Sequence, residues 1–259
     1  GLPSRREDVT KVFSSWDSYF QAGEAFHKKV PGVAWYDSEF IAQAMLNQEQ
    51  FPFQTKDQKV DVDNPGLKKI FDTVAQHAPT LATRVVPWDD DWQAKMKAGQ
   101  VATLPCPGWM FSNIKDNAPN VKGWDIADAF PGGGGNWGGS FLAVPKQSKH
   151  PKEAKQLANW LTDADQEVAA FKEAGNFPSN IAAETTLAKE NATDPYFNNA
   201  PTNQILADRA KAVKPDLPYK GDKYADILGL FLPSFDRVDQ GKPAAQSWAT
   251  FTKAAGGLS

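Results

Sequence analysis

Nine tryptophans in a chain of 259 residues, with only 3 methionines and 5 tyrosines, are the residues whose type and placing point to chemistry. An indole offers a broad apolar face and one N–H donor. Such a face packs against the apolar side of a pyranose ring, while amides and carboxylates take up the hydroxyls. Trp109 closes the turn Pro107-Gly108-Trp109, and Trp137 lies within a glycine run with Asn136 beside it. These two indoles are candidate platforms. Asn136, Asp37 and Asn176 are candidate hydroxyl partners. Each indole, with Trp88 and Trp92, is also ordinary core material, and most surface Asp and Asn bind nothing.

The glycine run, Gly132 to Gly139, is the sharpest composition shift in the chain. Gly133, Gly135 and Gly138 form a nominal G-x-G-x-x-G. Dinucleotide binding needs a strand before that motif and a helix after it, and here a strand is predicted to follow. The alternatives are a flexible surface loop, or a crossing between two bodies where the backbone passes close to a ligand. Asp89-Asp90-Asp91 reads as helix-start charge. The Asp61 to Gly66 stretch lacks the closing Glu of a calcium loop. His27, His77 and His150 show no zinc spacing. Cys106 carries no nucleophile signature, and there is no G-x-S-x-G elbow. No cofactor or metal is implied. Paired carboxylates for glycoside hydrolysis stay open, because 31 acids produce chance pairs.

The elements that must position these residues are mainly helices. Periodicity and caps predict helices from Trp16 with Ser15 as cap, near Ser38 to Asn47, from Pro65 with Asn64 as cap, and from about Asp89 to Ala98. Others follow over the His150–Ala174 region, about Pro201 to Val213, Asp222 to Asp239 with a break at Pro233, and Ala244 to Ala255. Strands are predicted at Gln100 to Leu104, Trp124 to Phe130 and Ser140 to Val144. The sum favours α/β. A formal charge of -3 argues against a sequence-independent grip on nucleic acid. One cysteine excludes an internal disulfide framework. No run approaches the roughly 18 apolar residues of a membrane span.

Several segments together resemble the sugar-binding, maltose-binding-protein-like class of ABC-transporter extracellular solute-binding proteins. They are KMKAGQVATLPCPGW (Lys95 to Trp109), GGGGNWGGSFLAV (Gly132 to Val144), the helix pair of His150 to Ala174, GNFPSN (Gly175 to Asn180) and YFNNAP (Tyr196 to Pro201). The glycine-rich segment most resembles cellobiose- or cello-oligosaccharide-binding lipoproteins of actinobacteria. The resemblance implies a class II periplasmic-binding-protein-like fold of two α/β lobes, closing on a neutral oligosaccharide that is delivered to a membrane permease. It implies no catalysis; a glycoside hydrolase is the alternative. It implies ligand contacts from Trp109, Asn136, Trp137 and Asp37, with Phe231 from the penultimate helix. By the same resemblance, residues 1–131 and 176–259 belong to the C-terminal lobe, and 132–175 to the crossing and a returning part of the N-terminal lobe. Most of that lobe, on the order of 100 residues, is then outside this chain. Its sheet, supplied by another chain or lost with the lobe, would leave an uncovered helical face. The full-length protein is expected to be extracellular and lipid-anchored.

Overall fold

In a computed structural model, residues 3–214 and 218–258 are described. Thirteen α-helices occur among them: α1 (Arg6–Val12), α2 (Trp16–His27), α3 (Ser38–Leu46), α4 (Pro65–Leu81), α5 (Asp90–Lys97), α6 (Met110–Asn117), α7 (Pro151–Leu161), α8 (Ala164–Ala174), α9 (Ile181–Lys189), α10 (Thr202–Lys211), α11 (Tyr224–Phe231), α12 (Pro233–Asp239) and α13 (Ala244–Gly256). The caps that mark them in sequence are formed. Ser15 Oγ accepts from Ser18 N in a reciprocal capping box, and Asn64 Oδ1 accepts from Leu67 N at 2.8 Å, with Pro65 opening the helix. Pro233 separates α11 from α12, as a residue without an N–H and with fixed φ should. Periodicity had not marked α1, α6 and α9, which are short.

Strand pairing is sparse. Among the described residues the extended segments meet only in isolated bridges, Ala34 with Val101 and Tyr36 with Ala82 in parallel, and Gln54 with Val60 and Asp194 with Ala200 antiparallel. The first two join three segments into a short parallel strip. Ala34 N donates to Gln100 O, Ala102 N to Ala34 O, and Thr83 N to Tyr36 O. The strand expected at Gln100 to Leu104 is thus one arm of a strip. Those expected at Trp124 to Phe130 and at Ser140 to Val144 have no regular structure and pair with nothing among the described residues. The α/β expectation is corrected to a mainly helical body around a rudimentary parallel strip. The physical reason is partnership: a strand exists only with a neighbour to accept its N–H groups.

Two apolar cores share α3. Ile41, Ala42, Met45 and Leu46 face the larger one, with α2, α4 and α11 to α13. Phe40, on the opposite side, enters the second with Trp92, Met96, Val101, Met110, Ile114 and Phe197. Helices α7 and α8 contribute nothing to either core, although α8 packs against α9 and Glu167 on it accepts from Ser179 N and Asn180 N. Neither helix contains a buried residue. Leu157, Trp160 and Leu161 on α7 are exposed, and Phe141 is 97% exposed.

Candidate functional site

The site is built on the second core. Asp89 caps α5 through Trp92 N at 2.8 Å, which fixes Trp92 as a buried floor. Phe40 lies nearly parallel to Trp92, with ring centroids 6.1 Å apart and planes at 7°. Trp88 packs on both, 5.7 Å from Phe40 and 5.1 Å from Trp92. Trp109, which precedes α6, stacks with Trp88 at 6.2 Å and 20°. Trp137 reaches Phe40 from the other side at 5.8 Å. Three indoles, Trp88, Trp92 and Trp137, therefore share one phenyl pedestal, and Trp109 joins them through Trp88. Trp88 and Trp109 remain 46% and 40% exposed.

The glycine run reaches this cluster by passing between two helix ends. A Cβ on Gly134 would sit 2.9 Å from the Ala212 carbonyl carbon, and one on Gly135 would sit 3.3 Å from the Asn47 carbonyl oxygen. Only glycine allows that backbone approach. Gln48 secures the entry, donating from Nε2 to Pro131 O at 2.8 Å while its Oε1 accepts from Trp16 Nε1. No helix opens on the run; α7 begins only at Pro151. Asn136 is exposed, and its Oδ1 accepts from Gly138 N at 3.1 Å. Gly175, the left-handed cap of α8 with φ of 75°, packs toward Ser112 in the first turn of α6. That places Asn176, exposed, near the helix that follows Trp109.

Two sequence candidates leave the site. Asp37 is 0% exposed. Its Oδ1 accepts from Phe40 N at 3.1 Å, capping α3, and its Oδ2 accepts from Thr83 Oγ1 at 3.2 Å. It positions Phe40 and does not face solvent. Burial pushes its carboxyl up to about 7. Phe231 is likewise 0% exposed, packed among Phe53, Phe235 and Phe251 in the larger core. Amphipathic helices put aromatics on their buried face, and α11 does so here.

Two further residues adjoin the cluster: Trp88, which the sequence offered as core material, and Asn47, which it did not single out. Trp88 has a φ of 74°, in the left-handed region that a bulky residue adopts at a cost of about 1–2 kcal/mol. Strain of this kind persists only where the surroundings enforce it and gathers at binding sites. The sequence signal was Val86-Pro87-Trp88-Asp89: a buried proline, then an indole forced through a turn into a helix cap. Asn47 closes α3 beside Gly135, and its side-chain Oδ1 and Nδ2 are buried without a hydrogen-bond partner among the described residues. An amide with both ends unmatched is a group that gains from a hydroxyl partner.

The body is thus mainly helical around a short parallel strip, with a partly exposed aromatic cluster beside the glycine run. Residues 4–199 match the model of a family described as bacterial extracellular solute-binding protein. The chain belongs to that family, whose proteins capture solutes for ABC transporters and are not enzymes. A crystal structure titled "Extracellular solute-binding protein family 1" is 39% identical and superposes with a TM-score of 0.94 over 99% of this chain and 67% of that one. The arabinooligosaccharide-binding protein of Bacillus subtilis is 25% identical over 156 residues, 55% of this chain and 36% of the relative. A transporter-associated binding protein of B. animalis subsp. lactis, solved with beta-1,6-galactobiose, shares the fold at a TM-score of 0.68 and 22% identity, over 93% of this chain and 65% of that one. The chain thus spans about a third of the curated relative and about two thirds of the solved structures. No described helix is long and apolar enough to cross a membrane.

Proposed function

We propose that this chain is the larger part of a two-lobed carbohydrate-capture protein of an ABC importer, which takes a neutral oligosaccharide against Trp109 and Trp137 and hands it to a membrane permease. The observation that supports this reading is the partly exposed aromatic cluster around Phe40, to which Trp137 belongs by direct contact with Phe40 and Trp109 through Trp88. The likeness to an arabinooligosaccharide-binding protein supports the ligand class. A β-gluco-oligosaccharide such as cellobiose is the first candidate on the glycine-rich segment's resemblance. Asn136 and Asn176 supply amides to its hydroxyls. Lipid anchoring of the complete extracellular protein belongs to the same proposal. Trp109→Ala is expected to weaken sugar binding in the complete protein by more than about 1 kcal/mol, read by calorimetric titration. An unchanged isotherm removes Trp109 from the site, and shortened sugars appearing on incubation would favour the hydrolase alternative.

The second lobe is part of the proposal. Residues 139–144 make no backbone hydrogen bond among the described residues, and α7 places Leu157 and Leu161 on an open face. A sheet from the rest of the protein, in the same polypeptide or a separate chain, would pair the first and cover the second. Leu157→Glu combined with Leu161→Lys should reduce self-association of this chain on a sizing column. Its melting temperature should barely move, because exposed substitutions stay within about 0.5 kcal/mol. Unaltered elution would count against an uncovered apolar face.

A further inference from the structure

We propose that the carboxyl cluster where α3 meets α12 makes solute capture pH-dependent, with Asp37 the positioning residue through which it acts on the indoles. This rests on the carbohydrate reading above and assigns a regulation to the same site. Two routes lead from the cluster to the indoles. The first runs through α3. Asp37 Oδ1 accepts from Phe40 N at 3.1 Å, and Phe40 packs against Trp88, Trp92 and Trp137. The second runs through the stretch that leads to Trp88. Thr83 Oγ1 donates to Asp37 Oδ2 at 3.2 Å, and Arg84 Nε donates to the Asp239 carbonyl at 2.9 Å. Thr83 and Arg84 thus bridge the start of α3 to the end of α12, and Ser38 Oγ closes the same junction by donating to Asp239 Oδ1 at 3.0 Å.

Asp37, Ser38 and Asp239 are buried there, with Glu39 from α3 and Asp236 from α12 partly buried beside them. Arg84 offsets the carboxyl of Asp239 and Arg237 that of Asp236, while Asp89, the cap of α5, adds repulsion at Asp236. The Tyr36 phenol donates to Val74 O and is kept neutral by burial. Burial holds protons on Asp37 and Asp239 up to about 7 and on Glu39 up to about 8. Ionisation then sets like charges against one another away from water and pushes α3 from α12. Phe40 rides on α3, whereas the stretch to Trp88 is tied to α12 through Arg84, so the push loosens the aromatic cluster. Capture favours the protonated form. By linkage it raises the carboxyls further, takes up protons near neutral pH, and weakens as pH rises through the values of the free chain.

The test titrates this chain with cellotriose and with arabinotriose by calorimetry at about pH 5.5 and about pH 8.5, with circular dichroism to show that it stays folded. Affinity should be about tenfold higher at the acid end, the change that a shift of about one pKa unit on capture produces. At about pH 7.5 the heat of binding should be less exothermic in Tris than in phosphate, because Tris absorbs heat on giving up the proton that the protein takes. A merely structural loss would not give that buffer dependence. Asp37→Asn, which keeps an oxygen for Phe40 N, should flatten the pH profile and the buffer difference. Asp239→Asn should reduce both and guards against a folding defect in the first variant. An affinity that is constant or rises with pH, or a fall that both variants retain, overturns the coupling and leaves carbohydrate capture standing. A flat response of the unsubstituted chain to both sugars at either pH overturns the carbohydrate reading, and this assignment falls with it.

Discussion

Phe40→Ala is expected to lower the unfolding free energy by about 3–5 kcal/mol, the range for removing a buried phenyl ring. The effect should sit at the high end because the site cannot collapse to refill the space. Phe40 is 5% exposed and contacts Trp88, Trp92 and Trp137 at once. Those indoles come from a strained loop, from the first turn of α5 and from the glycine crossing. Each is tied elsewhere: Trp88 through the buried Pro87 and the Asp89 cap, Trp92 through its own packing, Trp137 through the narrow passage beside Asn47. The denaturant midpoint of the variant measures the loss. A change below about 1 kcal/mol would mean that the three indoles do not depend on the pedestal. In the proposed function the same substitution releases the platforms from one another, so sugar binding should fall along with stability.

The second large effect is on pH. Asp37, Glu39, Asp236 and Asp239 gather where the start of α3 meets α12. Ser38 Oγ donates to Asp239 Oδ1 at 3.0 Å across that junction. Burial holds the carboxyls of Asp37 and Asp239 up at about 7 and that of Glu39 at about 8, with mutual repulsion adding to it, and raises Asp236 as well. Arg237 works against the shift at Asp236, and Arg84 works against it at Asp239, while Asp89 reinforces it at Asp236. Arg84 Nε also donates to the Asp239 carbonyl at 2.9 Å.

In the unfolded chain these carboxyls lose their protons near pH 4, about their ordinary values. In the folded chain Asp37 and Asp239 keep them to near pH 7 and Glu39 to near pH 8, and Asp236 is shifted the same way. Between those limits the unfolded state holds fewer protons, so stability falls as pH rises and levels off once the folded groups have ionised. At about 1.4 kcal/mol per unit, Asp37 alone is worth on the order of 4 kcal/mol across the window. The melting temperature should therefore be higher near pH 5 than near pH 8. Asp37→Asn keeps an oxygen to cap Phe40 N and carries no charge, so it should flatten the dependence and raise stability at the alkaline end. A melting temperature that climbs from about pH 5 to pH 8 would contradict the buried, protonated cluster.

The contrast between Trp109 and Asp37 shows where reading from sequence stops. Both were selected for chemistry in a stretch that resembles ligand-contacting segments. Trp109 ends a proline–glycine turn, and turns tend to run over the surface, where this indole stays 40% exposed. Asp37 stands one residue before a helix, where capping Phe40 N is an equally good use of a carboxylate, and the helix that follows is the most buried in the molecule. Phe231 went the same way as Asp37, because an aromatic on an amphipathic helix belongs to the core unless something pulls it out.

By itself the sequence determined the helices with strong caps, the break at Pro233, the break in regular structure at the glycine run, the family and the two indoles that end at the aromatic cluster. These follow from interactions within a few residues, or from segments whose order is distinctive. Tertiary structure alone decided that Trp88 turns outward, that Phe40 joins Trp88, Trp92 and Trp137, and that Asn47 lies unmatched beside the crossing. It also decided that residues 139–144 stay unpaired. Each of these depends on which groups meet across long separations in the chain, and neither periodicity nor turn chemistry carries that information.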